Sequence, residues 1–123
     1  MKKTVIVGAT TNPGRYAYQA ALELTSRHHE IVPIGIKKGE VCGEPILNIR
    51  DKPFIQHTDT ITLYIGPQHQ AEWYDYLIGL KPNRIIFNPG TENSTFQKMA
   101  KDAGIEVVEG CTLVMLRTGQ YAT

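Results

Sequence analysis

The sequence predicts an α/β fold: a doubly wound, mainly parallel sheet of about five strands with helices on both faces. Three observations carry this reading. Short, continuous apolar runs stop at glycine or proline, as strands buried on both faces do. Between them lie segments with apolar residues three and four positions apart, the spacing of a one-sided helix. Their alternation implies right-handed βαβ crossovers.

The first run, Thr4 to Val7, ends at Gly8 and opens into the turn-rich stretch Ala9-Thr10-Thr11-Asn12-Pro13-Gly14. From Arg15, the residues Ala17, Ala20, Ala21 and Leu24 share one helical face. His28-His29 is expected to end that helix as a solvated terminus, where a protonated histidine suits the dipole. Ile31 to Ile34 reads as a second strand, with Pro33 better suited to a strand end or sheet edge than to a sheet centre. Lys37 to Asp59 carries Gly39, Gly43, Pro45 and Pro53 and is expected to be mostly loop, with a short strand at Pro45 to Leu47. Ile61 to Ile65 is a strand closed by Gly66-Pro67. Ala71 to Leu80 reads as a helix with Trp73, Leu77 and Leu80 inward. Arg84 to Phe87 is a strand stopped by Asn88-Pro89-Gly90. Thr95 to Ala103 is helical, with Gly104 as its C-terminal cap. Ile105 to Val108 is the last strand, and Gly110 to Leu116 forms a final short helix or an extended tail.

A chain of 123 residues fits one domain, 1–123. Its 41% hydrophobic and 20% charged residues support a packed core rather than disorder. The net charge of +1 gives no argument for a nucleic acid or membrane partner, so an anionic ligand must meet a local cluster. The two cysteines, Cys42 and Cys111, form no Cys-x-x-Cys pair, and a reducing cytoplasm is the default location. The apolar stretch after Met1-Lys2-Lys3 is too short for a signal peptide, and none reaches membrane-spanning length.

Ligands of such sheets bind at the carboxyl ends of the strands, where the strand order reverses. A glycine ending the first strand admits a ligand close to the backbone, and the following helix aims free N–H groups and its positive end at the same space. Arg15 adds a charge-assisted donor there. The turn alone reads equally well as a tight strand-to-helix connection, because only Gly8 and Gly14 of a G-x-G-x-x-G pattern are present. After the second strand, where dinucleotide sites that take NAD place an acidic residue, the chain has Gly35-Ile36-Lys37-Lys38. A basic pair favours a ligand with an extra ribose phosphate, either NADP or coenzyme A, although each lysine taken singly reads as a solvated loop charge.

Other chemistry is not signalled. There is no P-loop and no G-x-S-x-G elbow. His28, His29, His57 and His69 lack metal spacing. Asp51, Asp59 and Glu92 form no evident acid/base couple. Cys111 reads as a buried structural thiol rather than a nucleophile. Tyr64, Trp73, Tyr74 and Tyr76 read as packing.

Gly8-Ala9-Thr10, Asn12-Pro13 and Arg15 resemble the opening of the small stand-alone coenzyme A-binding proteins, Rossmann-like relatives of the coenzyme A-binding domain of the succinyl-CoA synthetase alpha subunit. The resemblance continues at His29 to Pro33, Val41 to Pro45, Ile61 to Pro67, Asn88-Pro89-Gly90 and Gly104 to Cys111. It implies that Gly8, Ala9, Thr10, Asn12 and Arg15, with the adjoining Tyr16, lie against the coenzyme's pyrophosphate. It places Pro33 and the residues after it on the adenine-ribose side and Lys37 or Lys38 near the ribose phosphate. Tyr64, Ile65 and Pro67 would lie beside the adenine or pantetheine, with Asn88, Pro89 and Gly90 across the cleft. The chain departs from the family pattern at Ile34-Gly35-Ile36, where valine-asparagine-proline is usual, at Thr10 for serine, and at Asn88 for glutamine. The synthetase's phosphorylated histidine lies in a domain with no counterpart in these residues, so no catalytic residue carries over.

Three functions remain open on the sequence: a non-catalytic coenzyme A or acyl-CoA binding module, a small NADP-binding redox enzyme or sensor, and a regulatory subunit with a vestigial pocket. The partners expected are a small nucleotide ligand and either further copies of the chain or a larger synthetase-like subunit.

Overall fold

A computed structural model describes residues 2–122. Among them, Thr4–Val7 forms β1, Tyr16–Ser26 α1 and Ile31–Gly35 β2. Glu40–Val41 (β3) and Glu44–Pro45 (β4) make a small antiparallel hairpin, followed by Leu47–Asn48 (β5). Then come Thr60–Leu63 (β6), Tyr74–Gly79 (α2), Arg84–Phe87 (β7), Ser94–Asp102 (α3), Glu106–Glu109 (β8) and Thr112–Arg117 (α4). The main sheet has six parallel strands in the order β5-β2-β1-β6-β7-β8. This is the doubly wound Rossmann order, and its switch point lies between β1 and β6, from which the chain winds outward in both directions.

Period-two alternation sorts the core into two layers. Val5 and Val7 of β1 and Ile85 and Phe87 of β7 pack on Trp73, Leu77, Phe96 and Ala100, so α2 and α3 cover one face. Ile6 and Ile86 point the other way, onto Ala17, Ala21, Leu24, Leu116 and Tyr121, beneath α1 and α4. Every residue of β1, β6 and β7 is buried, which is why these strands show as unbroken apolar runs.

Several expectations need correction. The anticipated helix at 71–80 is shorter. Gly66-Pro67 starts single 3₁₀ turns at Pro67–His69 and Ala71–Trp73, and α2 proper begins only at Tyr74. The short strand at Pro45 to Leu47 is two separate pieces, Pro45 closing the hairpin and Leu47 joining the main sheet. Pro33 sits inside β2 rather than at its end, but on a stretch whose far side is an open sheet edge, the other placement expected of it. Its missing N–H is tolerated because the Ile34 carbonyl accepts from Gly8 and Ala9 on the β1 side. Pro33, one residue earlier, therefore turns its nitrogen to the opposite edge, where β5 pairing starts only at Ile34.

His29 is not a solvated helix end. It is buried, accepts the Lys2 backbone N–H at Nδ1 over 2.9 Å, and meets the Tyr121 ring edge-on at 5.0 Å. Burial, reinforced by the positive charges of Arg84, Lys2 and Arg27, holds its pKa below the usual histidine value. Arg84 is also buried: Nε donates to Thr60 Oγ1 and the guanidinium to the Tyr121 carbonyl, both at 2.7 Å, while it lies over the Tyr121 ring. Cys111 is half-buried at the start of α4, and Cys42 is exposed at the hairpin tip.

Candidate functional site

The carboxyl ends of β1, β6 and β7 open into a cleft of about 670 Å³. One wall is the turn after β1 and the start of α1, with Gly8, Thr10, Asn12, Arg15 and Tyr16; Ile36 and Lys37 extend it beyond β2. Facing it are Tyr64, Ile65 and Gly66 after β6, and Pro89, Gly90 and Thr91 after β7.

Gly8 is required by its surroundings. Its φ is +95°, and a Cβ there would lie 3.1 Å from the Tyr64 carbonyl carbon. The chain is thus drawn tightly between β1 and β6 before it turns into α1. Within the turn, Thr10 Oγ1 accepts the Asn12 N–H at 3.1 Å and Asn12 Oδ1 accepts the Gly14 N–H at 3.0 Å. These two short-range bonds shape the loop locally.

The entry to α1 is unusual in what it lacks. Its N-cap residue is Arg15, which offers no side-chain acceptor, and the first turn has no acidic residue. By contrast, α3 is capped by Asn93, whose Oδ1 accepts the Phe96 N–H at 3.1 Å. Among the described residues, the N–H groups of Tyr16 and Ala17 donate to no acceptor. Two donors, the positive end of a helix 11 residues long and the exposed Arg15 and Lys37 therefore converge on one space. That arrangement suits a pyrophosphate, whose oxygens would act as the missing cap.

The cleft also has an apolar lip. Tyr16 is 75% exposed and Ile36 60% exposed at its mouth. Tyr64 also lines the cleft, while its hydroxyl is buried near Thr62 and Thr112 and lacks a well-formed hydrogen bond. Burial pushes that hydroxyl up to about 12, so it stays protonated.

Of the residues singled out in the sequence, the cleft brings together Gly8, Thr10, Asn12, Arg15, Tyr16, Lys37, Tyr64, Ile65, Pro89 and Gly90. It does not bring in the other five. Ala9 is buried, its N–H committed to the Ile34 carbonyl. Pro33 is buried in β2. Lys38 is exposed but points outside the lining, and Pro67 lies one residue past the Gly66 wall.

Asn88 is the clearest displacement. Alternation along β7 puts it on the same face as Arg84 and Ile86, toward α4, and it is only 2% exposed. Nδ2 donates to Thr62 Oγ1 at 2.8 Å and to the Leu63 carbonyl at 2.9 Å, while Oδ1 accepts the Thr112 N–H at 2.9 Å. Asn88 is thus a bracket joining β6, β7 and α4, its side chain committed to these partners. Beyond the named candidates the lining also includes Thr11, Gly14, Ile36 and Gly66, from stretches the sequence marked as opening the site, and Ala17, which the sequence placed only on the apolar face of α1, and Thr91. Gly66 was foreseeable as the first residue beyond an apolar run; Thr91 had no such signal. Among the described residues no cluster of His, Cys, Asp and Glu could hold a metal ion, and no helix is long and apolar enough to cross a membrane.

Comparison with known proteins bears on the fold and the family. No curated protein matches the chain. It is similar to a crystal structure of an uncharacterized protein, with 54% identity over 98% of both chains and a TM-score of 0.95. It shares its fold with a Thermus thermophilus protein, at 20% identity over 98% of this chain and 90% of the other, TM-score 0.83. A hypothetical protein from Pyrococcus horikoshii matches at 23% identity over 95% of this chain and 82% of the other, TM-score 0.82. The model of the CoA binding domain matches residues 2–117, which take in every strand and helix from β1 to α4, and the chain belongs to that family.

Proposed function

We propose that this chain is a coenzyme A-binding module that takes coenzyme A or an acyl-CoA in the cleft between β1 and β6, with no catalysis of its own. The observation that carries the reading is the uncapped start of α1. Its free N–H groups, with Arg15 and Lys37 alongside, form an anion site where the strand order reverses. The pyrophosphate would sit on Gly8, Thr10, Asn12, Arg15 and Tyr16. Lys37, rather than Lys38, would meet the ribose phosphate, since only Lys37 lines the cleft. The acyl chain would leave past the lip of Tyr16 and Ile36. Residues 1–123 would act as one cytoplasmic domain, alone, as a homo-oligomer or beside a larger synthetase-like subunit.

Thermal-shift and calorimetric titration with coenzyme A, acetyl-CoA, dephospho-CoA, NAD and NADP tests this. A ligand that binds only the folded state raises Tm by mass action. Coenzyme A should raise it more than dephospho-CoA, and NAD should have no effect. A response to NADP exceeding that to coenzyme A would transfer the site to the nicotinamide reading, and silence from all five would remove the nucleotide function.

A further inference from the structure

The two loops of the far wall are tied together from behind by one buried side chain. Gln70 is fully buried, and its Nε2 donates to the Ile65 carbonyl and to the Thr91 carbonyl, each at 2.9 Å. Both acceptors belong to residues that line the cleft, one after β6 and one after β7. The amide is itself fixed: Gln70 Oε1 accepts from Asn93 Nδ2 at 2.9 Å, and Asn93 also donates to the Tyr74 hydroxyl at 2.8 Å. The grip therefore runs from the cleft wall through Gln70 to the cap of α3.

We propose that Gln70 is a positioning residue that aims the Gly66 N–H into the cleft to receive an amide carbonyl of the coenzyme's pantetheine arm. In a trans peptide the C=O and N–H point in opposite directions. Holding the Ile65 carbonyl back toward Gln70 therefore turns the Gly66 N–H away from it, on the side where Gly66 lines the cleft. That N–H donates to no acceptor among the described residues. Two donors across the same wall are occupied, the Gly90 N–H by Glu92 Oε1 and the Thr91 N–H by the Asn88 carbonyl, both at 2.9 Å. Charge separates the two walls. Arg15 and Lys37 stand on the α1 side, so phosphates belong there, and the uncharged amide-bearing arm is left to face Gly66.

This inference rests on the coenzyme A reading, and its test keeps the two apart. Calorimetry of the full chain compares coenzyme A with adenosine 3′,5′-bisphosphate, which lacks the pantetheine arm. Gln70→Met keeps the side-chain length and removes both donors. Gly66→Pro removes the N–H itself at a residue whose φ of −65° already suits proline, whereas Gly66→Ala retains it. Gln70→Met and Gly66→Pro should each weaken coenzyme A about five- to tenfold, the worth of one hydrogen bond. The bisphosphate should lose by a clearly smaller factor, and Gly66→Ala should cost less than Gly66→Pro. If Gln70→Met does not fold, the Gly66 pair decides. Equal losses for both ligands, or Gly66→Pro binding coenzyme A as tightly as the parent, overturns the positioning role. A parent protein that binds neither ligand overturns the coenzyme A reading itself, and the inference with it.

Discussion

Replacing Asn88 with alanine should destabilise the fold far more than it alters ligand affinity in whatever stays folded. The side chain makes three buried hydrogen bonds, to Thr62 Oγ1, the Leu63 carbonyl and the Thr112 N–H. Thr62 keeps a partner after the change, because its hydroxyl also bonds Thr112 Oγ1 at 2.8 Å. The Leu63 carbonyl and the Thr112 N–H lose theirs, at about 1–2 kcal/mol each for a buried group left unpaired. A small cavity where three elements meet adds about 1 kcal/mol, for a total of roughly 3–5 kcal/mol. Against a typical stability of roughly 5–15 kcal/mol this is a large fraction, and it should lower Tm by about 10 °C or more. Urea denaturation followed by circular dichroism measures the loss, with the m-value as a check that the same surface unfolds. A loss under about 1 kcal/mol, combined with a loss of coenzyme A binding, would refute the bracket and return Asn88 to the site.

Arg15→Ala should weaken coenzyme A by about 1.5 kcal/mol, roughly tenfold, at the lower end for a charged hydrogen bond because the side chain is exposed; calorimetry at two salt concentrations reads it. Lys37→Ala should narrow the gap between coenzyme A and dephospho-CoA, whereas Lys38→Ala, outside the cleft lining, should preserve that gap; competitive titration compares them. Gly8→Ala should cost about 1–3 kcal/mol in denaturant unfolding, because φ is +95° and the Tyr64 backbone leaves no room for a Cβ. Stability should also fall with acid through His29. Its folded pKa lies below the ordinary 6.5, so as pH drops below 6.5 the unfolded chain takes up a proton that the folded chain refuses. Above that pH the histidine contributes no slope, and His29→Gln should flatten the fall in Tm measured between neutral pH and mild acid.

The sheet was legible where burial on both faces wrote it in plain apolar runs. Val5-Ile6-Val7, Ile61 to Leu63 and Ile85 to Phe87 are strands whichever layer their side chains enter. Elements that bury little were harder to see. The pieces β3, β4 and β5 are two residues each, below the length at which any period is visible, and are held by pairing with distant chain. The turn after β1 could be recognised because its glycine and Asx-type bonds are local. The roles of Asn88, Gln70 and His29 could not, because each depends on partners in other elements. Asn88 follows a strand and precedes Pro-Gly, as a ligand-facing residue would; only the alternation from Arg84 through Ile86 shows that it faces α4.

The order of the sheet also bears on how the chain reaches this state. β1 precedes the other described strands along the chain, yet it lies between β2 and β6, and none of its residues is exposed once both are in place. Until β6 emerges, one edge of Thr4 to Val7 stays open, presenting a short β-branched stretch to any other strand nearby. Long-range parallel pairing closes slowly. Misassociation of incomplete chains is therefore a greater hazard during synthesis or refolding from denaturant than in the finished protein. Early closure of α1 onto β1 through Ile6, Ala17 and Ala21 would shield one face during that interval, leaving the β6 edge as the vulnerable one.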